Sequence, residues 1–142
     1  MSQESATPDL VVLLRRRVEA VDRGDIDAMT SFLASDAVWD STPMGMEMYE
    51  GREAIRRFFG DWWGAYEAYQ AKAEEIFDLG EGVTFAVVIF NARPIGSGGE
   101  VRLRYGVVTE WVNGVVVRDT NYTDIDAARA AAERLAEERV NG

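Results

Sequence analysis

Asn113-Gly114, set between Val112 and Val115, constrains this chain more than any other pair of residues. An Asn-Gly dipeptide accepts the positive φ values of a two-residue hairpin, so the runs flanking it are antiparallel neighbours. Upstream, Val83 to Phe90 is apolar on both faces, the mark of a central strand covered on both sides. The patterning predicts four strands in succession: Gln70 to Leu79, Val83 to Arg93, Glu100 to Val112 and Val115 to Asp124. A meander of that length needs a second layer to cover it.

The first half of the chain supplies that layer. Met1 to Thr7 is polar and is expected to fray. Pro8-Asp9 opens a helix in which Leu10, Val11, Leu13, Leu14, Val18 and Val21 recur at helical spacing, and Gly24 stops it. Asp25 caps a short second helix carrying Ile26, Met29, Phe32 and Leu33. Ala37 to Asp40 reads as a strand ended by Pro43, and Met44 to Tyr49 as a loop with three methionines. Those soft side chains suit a lid, or simply a loop resting on the core. From Gly51 a long amphipathic helix carries Ile55, Phe58, Phe59, Trp62, Tyr66 and Tyr69 on one stripe, and Asp124 or Asp126 opens an alanine-rich closing helix. The order is α+β within one domain of 142 residues, with no repeat and no linker.

Composition excludes whole classes of chemistry. The chain has no cysteine and no histidine, which removes disulfides, thiolate nucleophiles, imidazole acid–base work and the common metal sites. Lys72 is the single lysine. Gly96-Ser97-Gly98-Gly99 lacks the lysine of a phosphate loop. A net charge of −10 disfavours nucleic acid and anionic membrane as partners. No leader and no bilayer-length apolar stretch is legible, so the expectation is a cytoplasmic protein with no metal and no cofactor. Carboxylates, tyrosines and arginines must carry any catalysis.

Four fragments in order resemble the nuclear transport factor 2-like superfamily, in its SnoaL-like and ketosteroid isomerase-like branch. They are Arg23-Gly24-Asp25-Ile26-Asp27, Ser35-Asp36-Ala37-Val38-Trp39-Asp40, Gly51-Arg52-Glu53-Ala54-Ile55-Arg56-Arg57-Phe58-Phe59, and Asn113-Gly114-Val115-Val116-Val117-Arg118. The resemblance spans Asp9 to Ala132. It implies a cone: a curved, mixed but mainly antiparallel sheet wrapped around three helices from the N-terminal half, enclosing a pocket. The fold hosts isomerases, polyketide cyclases, epoxide hydrolases, dehydratases and non-catalytic binders, so it does not itself fix function.

A regular hairpin puts Tyr105, Val107, Thr109 and Trp111 on one face with Tyr122, Thr120, Arg118 and Val116. The opposite face then holds Arg102, Arg104, Val108, Glu110, Asp119 and Asn121. Aromatics and a single arginine mark the first face as the pocket wall, and the second as solvent or a dimer interface. One β-bulge would exchange these assignments beyond it. Trp39, Phe59, Trp62, Trp63, Tyr105, Val107 and Thr120 are the expected ligand contacts. Trp62 and Trp63, about 100° apart on a helix, cannot both face it.

By resemblance, Asp40 at the end of the first strand is the general base. Ser41 and Thr42 intervene before Pro43, however, so strand parity can instead place Trp39 and Ser41 inside and Asp40 outside. The isomerases' oxyanion donors, a tyrosine and a protonated aspartic acid, align with Arg17 and Val107, which argues against a steroid isomerase. Tyr122, Tyr105 or Arg118 would then polarise the substrate oxygen. Relatives that place an acid on the last strand match Asp119, Asn121 or Tyr122 according to register, and an asparagine there favours binding over turnover. The resemblance implies a domain that binds a small hydrophobic molecule. It would act as a cofactor-free isomerase, cyclase or hydratase on an apolar carbonyl compound, or as a non-catalytic binder or dimeric interaction module. A homodimer through the sheet fits each of these.

Overall fold

The computed structural model describes residues 9–96 and 98–141. The fraying expected of Met1 to Thr7, and Ser97 of the glycine-rich stretch, lie outside those residues. Helix α1 (Leu10–Arg23) begins where the Asp9 carboxylate accepts from the backbone N–H groups of Val11 and Val12, 3.1 and 3.2 Å away. It ends at Gly24, whose φ of 68° supplies the left-handed cap that a side chain would resist. Asp25 caps α2 (Ile26–Ser31) through Ala28 N–H at 3.0 Å. Then come β1 (Leu33–Asp40), a 3-10 turn over Thr42–Met44, β2 (Met48–Glu50) and α3 (Arg52–Gly64). Strands β3 (Tyr66–Gly80), β4 (Val83–Pro94), β5 (Val101–Val112) and β6 (Val115–Tyr122) precede α4 (Ile125–Asn141).

The six strands form one curved, unclosed sheet in the order β2-β1-β6-β5-β4-β3. Only the β1–β6 pair is parallel; all others are antiparallel. This is the α+β cone anticipated from the sequence. Strand β4 is covered on both faces as its composition requires. Ala86 and Val88 face the core under α1 to α3, with Leu14, Met29, Ile55, Phe59 and Val107. Val83, Phe85 and Val87 face α4, where Ala128, Ala132 and Ala136 repeat every four residues. Trp111 Nε1 donates to Thr84 Oγ1 at 2.9 Å and joins the end of β5 to the start of β4.

Three elements differ from the sequence reading. The third helix ends at Gly64 rather than running through Tyr69, and β3 takes over at Tyr66. A register shift between Tyr66 and Ala68 brings both tyrosines to the face where Phe90 sits, with ring centroids 5.6 and 6.1 Å from it. The aromatic stripe thus finds its partner from a strand as readily as from a helix, and pairing with β4 along its length decides for the strand. Leu33 leaves α2 and starts β1, because the strand's first rung pairs it with Val116. Met48 and Tyr49, expected in a loop, pair with Asp40 and Trp39 as β2.

The hairpin carries the fourth difference, and it governs the site. Asn113 and Gly114 have φ of 53° and 77°, as an Asn-Gly turn requires, and Val112 pairs with Val115. Trp111 pairs with Val116, but Glu110 pairs with Arg118, so Val117 is an extra residue. Beyond that bulge every β6 side chain is on the opposite face from the one a regular hairpin gives. Asp119 and Asn121 point to the concave side; Arg118, Thr120 and Tyr122 do not.

Candidate functional site

A cavity of about 270 Å³ lies between the concave face of the sheet and helices α1 and α3. Its walls are apolar: Leu14, Val18 and Val21 from α1, Phe58, Phe59 and Trp62 from α3, and Val88, Phe90 and Leu103 from the sheet. Trp62 stacks on Phe90 with centroids 4.5 Å apart, and Trp39 meets the edge of Phe59 at 4.9 Å. Met44 and Met46 border the cavity, and Met46 is half exposed, so part of the methionine-rich segment closes over it.

One end of this apolar space is polar. Arg17 of α1 reaches β6 and makes a two-pronged ion pair with Asp119: Nη1 to Oδ1 at 2.8 Å and Nη2 to Oδ2 at 2.5 Å. Thr109 Oγ1 donates to the same Oδ1 at 2.8 Å. The pair is shielded, with side chains 6% and 1% exposed. The carboxylate is thus held by three donors, and its charge is offset in place by the guanidinium. Tyr105 stands in the cavity beside this pair. Burial pushes its phenol up to about 12, Arg17 pulling it down and Asp119 pushing it up. It remains a neutral hydroxyl at ordinary pH.

Ser41 and Asn121 complete the polar end. Asn121 Nδ2 donates to Ser41 Oγ at 3.1 Å, and Asn121 Oδ1 is buried with no hydrogen-bond partner among the described residues. Both side chains border the cavity.

Of the expected site residues, the structure brings Trp39, Phe59, Trp62, Tyr105 and Val107 to the cavity. Trp63 is directed elsewhere: its ring lies parallel to Tyr69 at 6.2 Å and it does not border the cavity. Thr120 is on the outer face and accepts from Arg118 Nε at 3.3 Å. Tyr122 packs on the α4 side with Ile125 and Leu135, a correction that follows from the Val117 bulge. Arg118, expected inside, turns out to Asp40, its Nη2 2.5 Å from Asp40 Oδ2. Asp40 itself does not border the cavity, while Trp39 and Ser41 on either side do, the second of the two parities that the strand allowed. Its other oxygen accepts from Thr42 N–H at 2.9 Å and Thr42 Oγ1 at 2.6 Å. Burial pushes the Asp40 carboxyl up, but Thr42 and Arg118 outweigh it and hold it below the usual carboxylate range. Among the described residues no cluster of acidic side chains is arranged to hold a metal ion, and no helix is long and apolar enough to cross a membrane.

The model of the SnoaL-like domain matches residues 14–119, from the α1 residue at the cavity wall to the aspartate of the buried pair. The chain belongs to the SnoaL-like family. A comparison with curated proteins found no match. Solved structures share the fold of this SnoaL-like chain. A protein of ketosteroid isomerase-like fold from Catenulispora acidiphila, crystallised with trimethylamine, superposes with a TM-score of 0.70 at 13% identity, over 89% of this chain and 94% of that one. Bal32a, from a soil-derived mobile gene cassette, gives 0.72 at 22% identity over 83% and 92%. A nuclear transport factor 2-like protein from Burkholderia pseudomallei gives 0.70 at 16% over 87% and 96%. At these identities the likeness is one of fold.

Proposed function

We propose that this SnoaL-like domain binds a compact, predominantly apolar small molecule in the cavity between α1, α3 and the sheet. The observation that carries this reading is the cavity's composition: aromatic and aliphatic walls with one confined polar end whose only charges cancel each other. Such sites orient a ligand by a few placed polar groups while burial supplies the affinity. A volume of about 270 Å³ suits one or two rings. Trp39 and Trp62 border the space, so a bound aromatic compound should quench tryptophan emission.

The test is a thermal-shift and fluorescence screen with neutral one- and two-ring compounds. Saturable quenching together with a raised melting temperature is the expected result. Val88→Phe, which fills the cavity from β4, should abolish both. A folded protein that responds to no compound overturns the reading.

Binding is favoured over turnover by the state of the carboxylates. Asp119 is engaged by both prongs of Arg17 and by Thr109, and Asp40 faces away, tied to Arg118 and Thr42. An isomerase, cyclase or hydratase acting through Asp40 would need that side chain to turn inward, and product formation lost in Asp40→Asn would restore the catalytic reading. A homodimer through the sheet would have to use the part of the outer face that α4 leaves open, where Arg104 pairs with Glu74 and Arg102 donates to Asn91. A monomer by light scattering at micromolar concentration removes it.

A further inference from the structure

We infer that Tyr105 sets the polar part of this cavity's specificity: its hydroxyl donates a hydrogen bond to a neutral acceptor oxygen on the bound compound. The inference rests on the binding reading above and deepens it by naming the contact and the ligand group it selects. Among the described residues, two polar side-chain atoms lack a partner and are closed even to something the size of water, Trp63 Nε1 and Asn121 Oδ1. The Tyr105 hydroxyl lacks a partner too, but it is not closed: a water-sized molecule can touch it. Tyr105 stands deep in the molecule, which is what raises its phenol, yet it is only half-buried, and the space it is open to is the cavity it borders. The strand order explains the opening. Tyr105 pairs with Val88 of β4, whereas β6 ends its pairing with β5 one residue short of it, at Gly106 and Tyr122.

The sense of the bond follows from the phenol. Its oxygen shares a lone pair with the ring, so it donates better than it accepts, and a buried tyrosine O–H ordinarily finds a partner. Pushed up to about 12, it keeps its proton at ordinary pH. The charge of Arg17 is already matched by Asp119, so an anionic ligand would bury a charge with no counter-charge left to offset it. The acceptor is therefore a dipole. Tyr66, also at the cavity, packs edge-on against Trp62 and Phe90 in the aromatic wall and is the rival to be tested.

The experiment titrates three rigid bicyclic probes into the intact chain by calorimetry: 1-indanone, whose carbonyl only accepts, indole, whose N–H only donates, and indane, which does neither. Tyr105→Phe should weaken 1-indanone about fivefold, the worth of one net hydrogen bond, and leave indole and indane nearly unchanged. The carbonyl stretch of bound 1-indanone, read by infrared difference spectroscopy, should lie lower in the unaltered protein than in that variant, which a change of packing alone would not produce. Tyr122→Phe, on the α4 side of the sheet, should move neither reading. Should Tyr105→Phe fail to fold, the unaltered protein decides: a bound carbonyl stretch below that of 1-indanone in cyclohexane supports the bond, and one at the cyclohexane value overturns it. Unchanged affinity with an unshifted carbonyl in Tyr105→Phe overturns the assignment and leaves the binding reading intact. Weakening of indole instead of 1-indanone overturns the sense of the bond. Weakening of 1-indanone by Tyr66→Phe and not by Tyr105→Phe overturns the choice of residue. Binding of none of the three probes overturns the inference and the cavity reading together.

Discussion

Arg17 is the residue on which the interior most depends, because it brings a full charge from a helix into the floor of an apolar cavity. Its cost is offset by Asp119, which Thr109 in turn holds in place. Arg17→Met should therefore leave Asp119 buried and unpaired and cost about 3–5 kcal/mol, whereas Arg17→Met with Asp119→Leu should recover at least half of that, since an apolar pair of similar volume replaces an ion pair at little loss. Denaturant melts of the two variants check this, and a double variant no more stable than the single one would show that the pair is not acting as a unit. Asp40 makes the opposite case, a carboxylate outside the cavity with structural partners. Because its folded-state value lies below the ordinary 3.8, its contribution to stability is complete above 3.8 and is lost as pH falls through the folded value. Asp40→Asn should lower stability by about 1 kcal/mol near neutral pH, Arg118 being one-third exposed, and the gap to the unaltered protein should close in acid. A gap that persists unchanged below pH 3.8 would mean that shape, not charge, is what the substitution removes. Val107 was legible as a cavity residue from the alternation of β5, whereas Arg17 stood out only through the family resemblance, as the residue at an oxyanion-donor position. Asp119 and Asn121 were assigned to the wrong face by one inserted residue, Val117, for which nothing in the run Val115-Val116-Val117-Arg118 gives a signal.

At the scale of the elements, what could be read depended on whether the signal was local. The caps at Asp9, Gly24 and Asp25 and the Asn113-Gly114 turn are chemistry written within four residues, and each falls where it was expected. The end of α3 and the start of β3 are set instead by Phe90, more than twenty residues downstream, which accepts Tyr66 and Tyr69 from a strand. The closing helix shows how far such long-range fit can be pinned to one atom. A methyl group on Gly106 of β5 would sit 2.6 Å from the Ala128 Cβ of α4 and 3.3 Å from Phe85. The glycine is there because the helix approaches the sheet closely through its alanines, and its lack of a side chain is what permits that approach. Gly106→Val should push α4 outward and cost about 1–3 kcal/mol, while leaving ligand binding on the other face unchanged. Loss of stability with unaltered affinity is the expected pair of readings; a stability unchanged within error would mean that α4 is not held by this contact.

For the whole molecule, the sheet has two apolar faces and two different solutions for covering them. The concave face is covered incompletely, by α1 to α3, and the space left over is the cavity. The convex face is covered tightly by α4, which closes Val83, Phe85, Val87 and Val108 beneath Ala128, Ala132 and Ala136. That division of labour was half visible in the sequence: a strand apolar on both sides demands two covers, but nothing in an alanine-rich, charged helix says which face it takes. It has a consequence for assembly. An outer sheet face without α4 is an apolar surface of the kind that pairs with another molecule. Ending the chain after Asp124 should therefore convert the protein into a self-associating species, with a light-scattering mass at least twice that of its own monomer and a lower melting temperature. The surface left by α4, rather than the strip around Arg104 and Glu74, would then be the adhesive one, which a second truncated variant carrying Val108→Lys should show by returning to the monomer. A truncated chain that stays monomeric and keeps its melting temperature would mean that α4 rests on a face stable without it, and would reopen that face as a place for a partner in the intact protein.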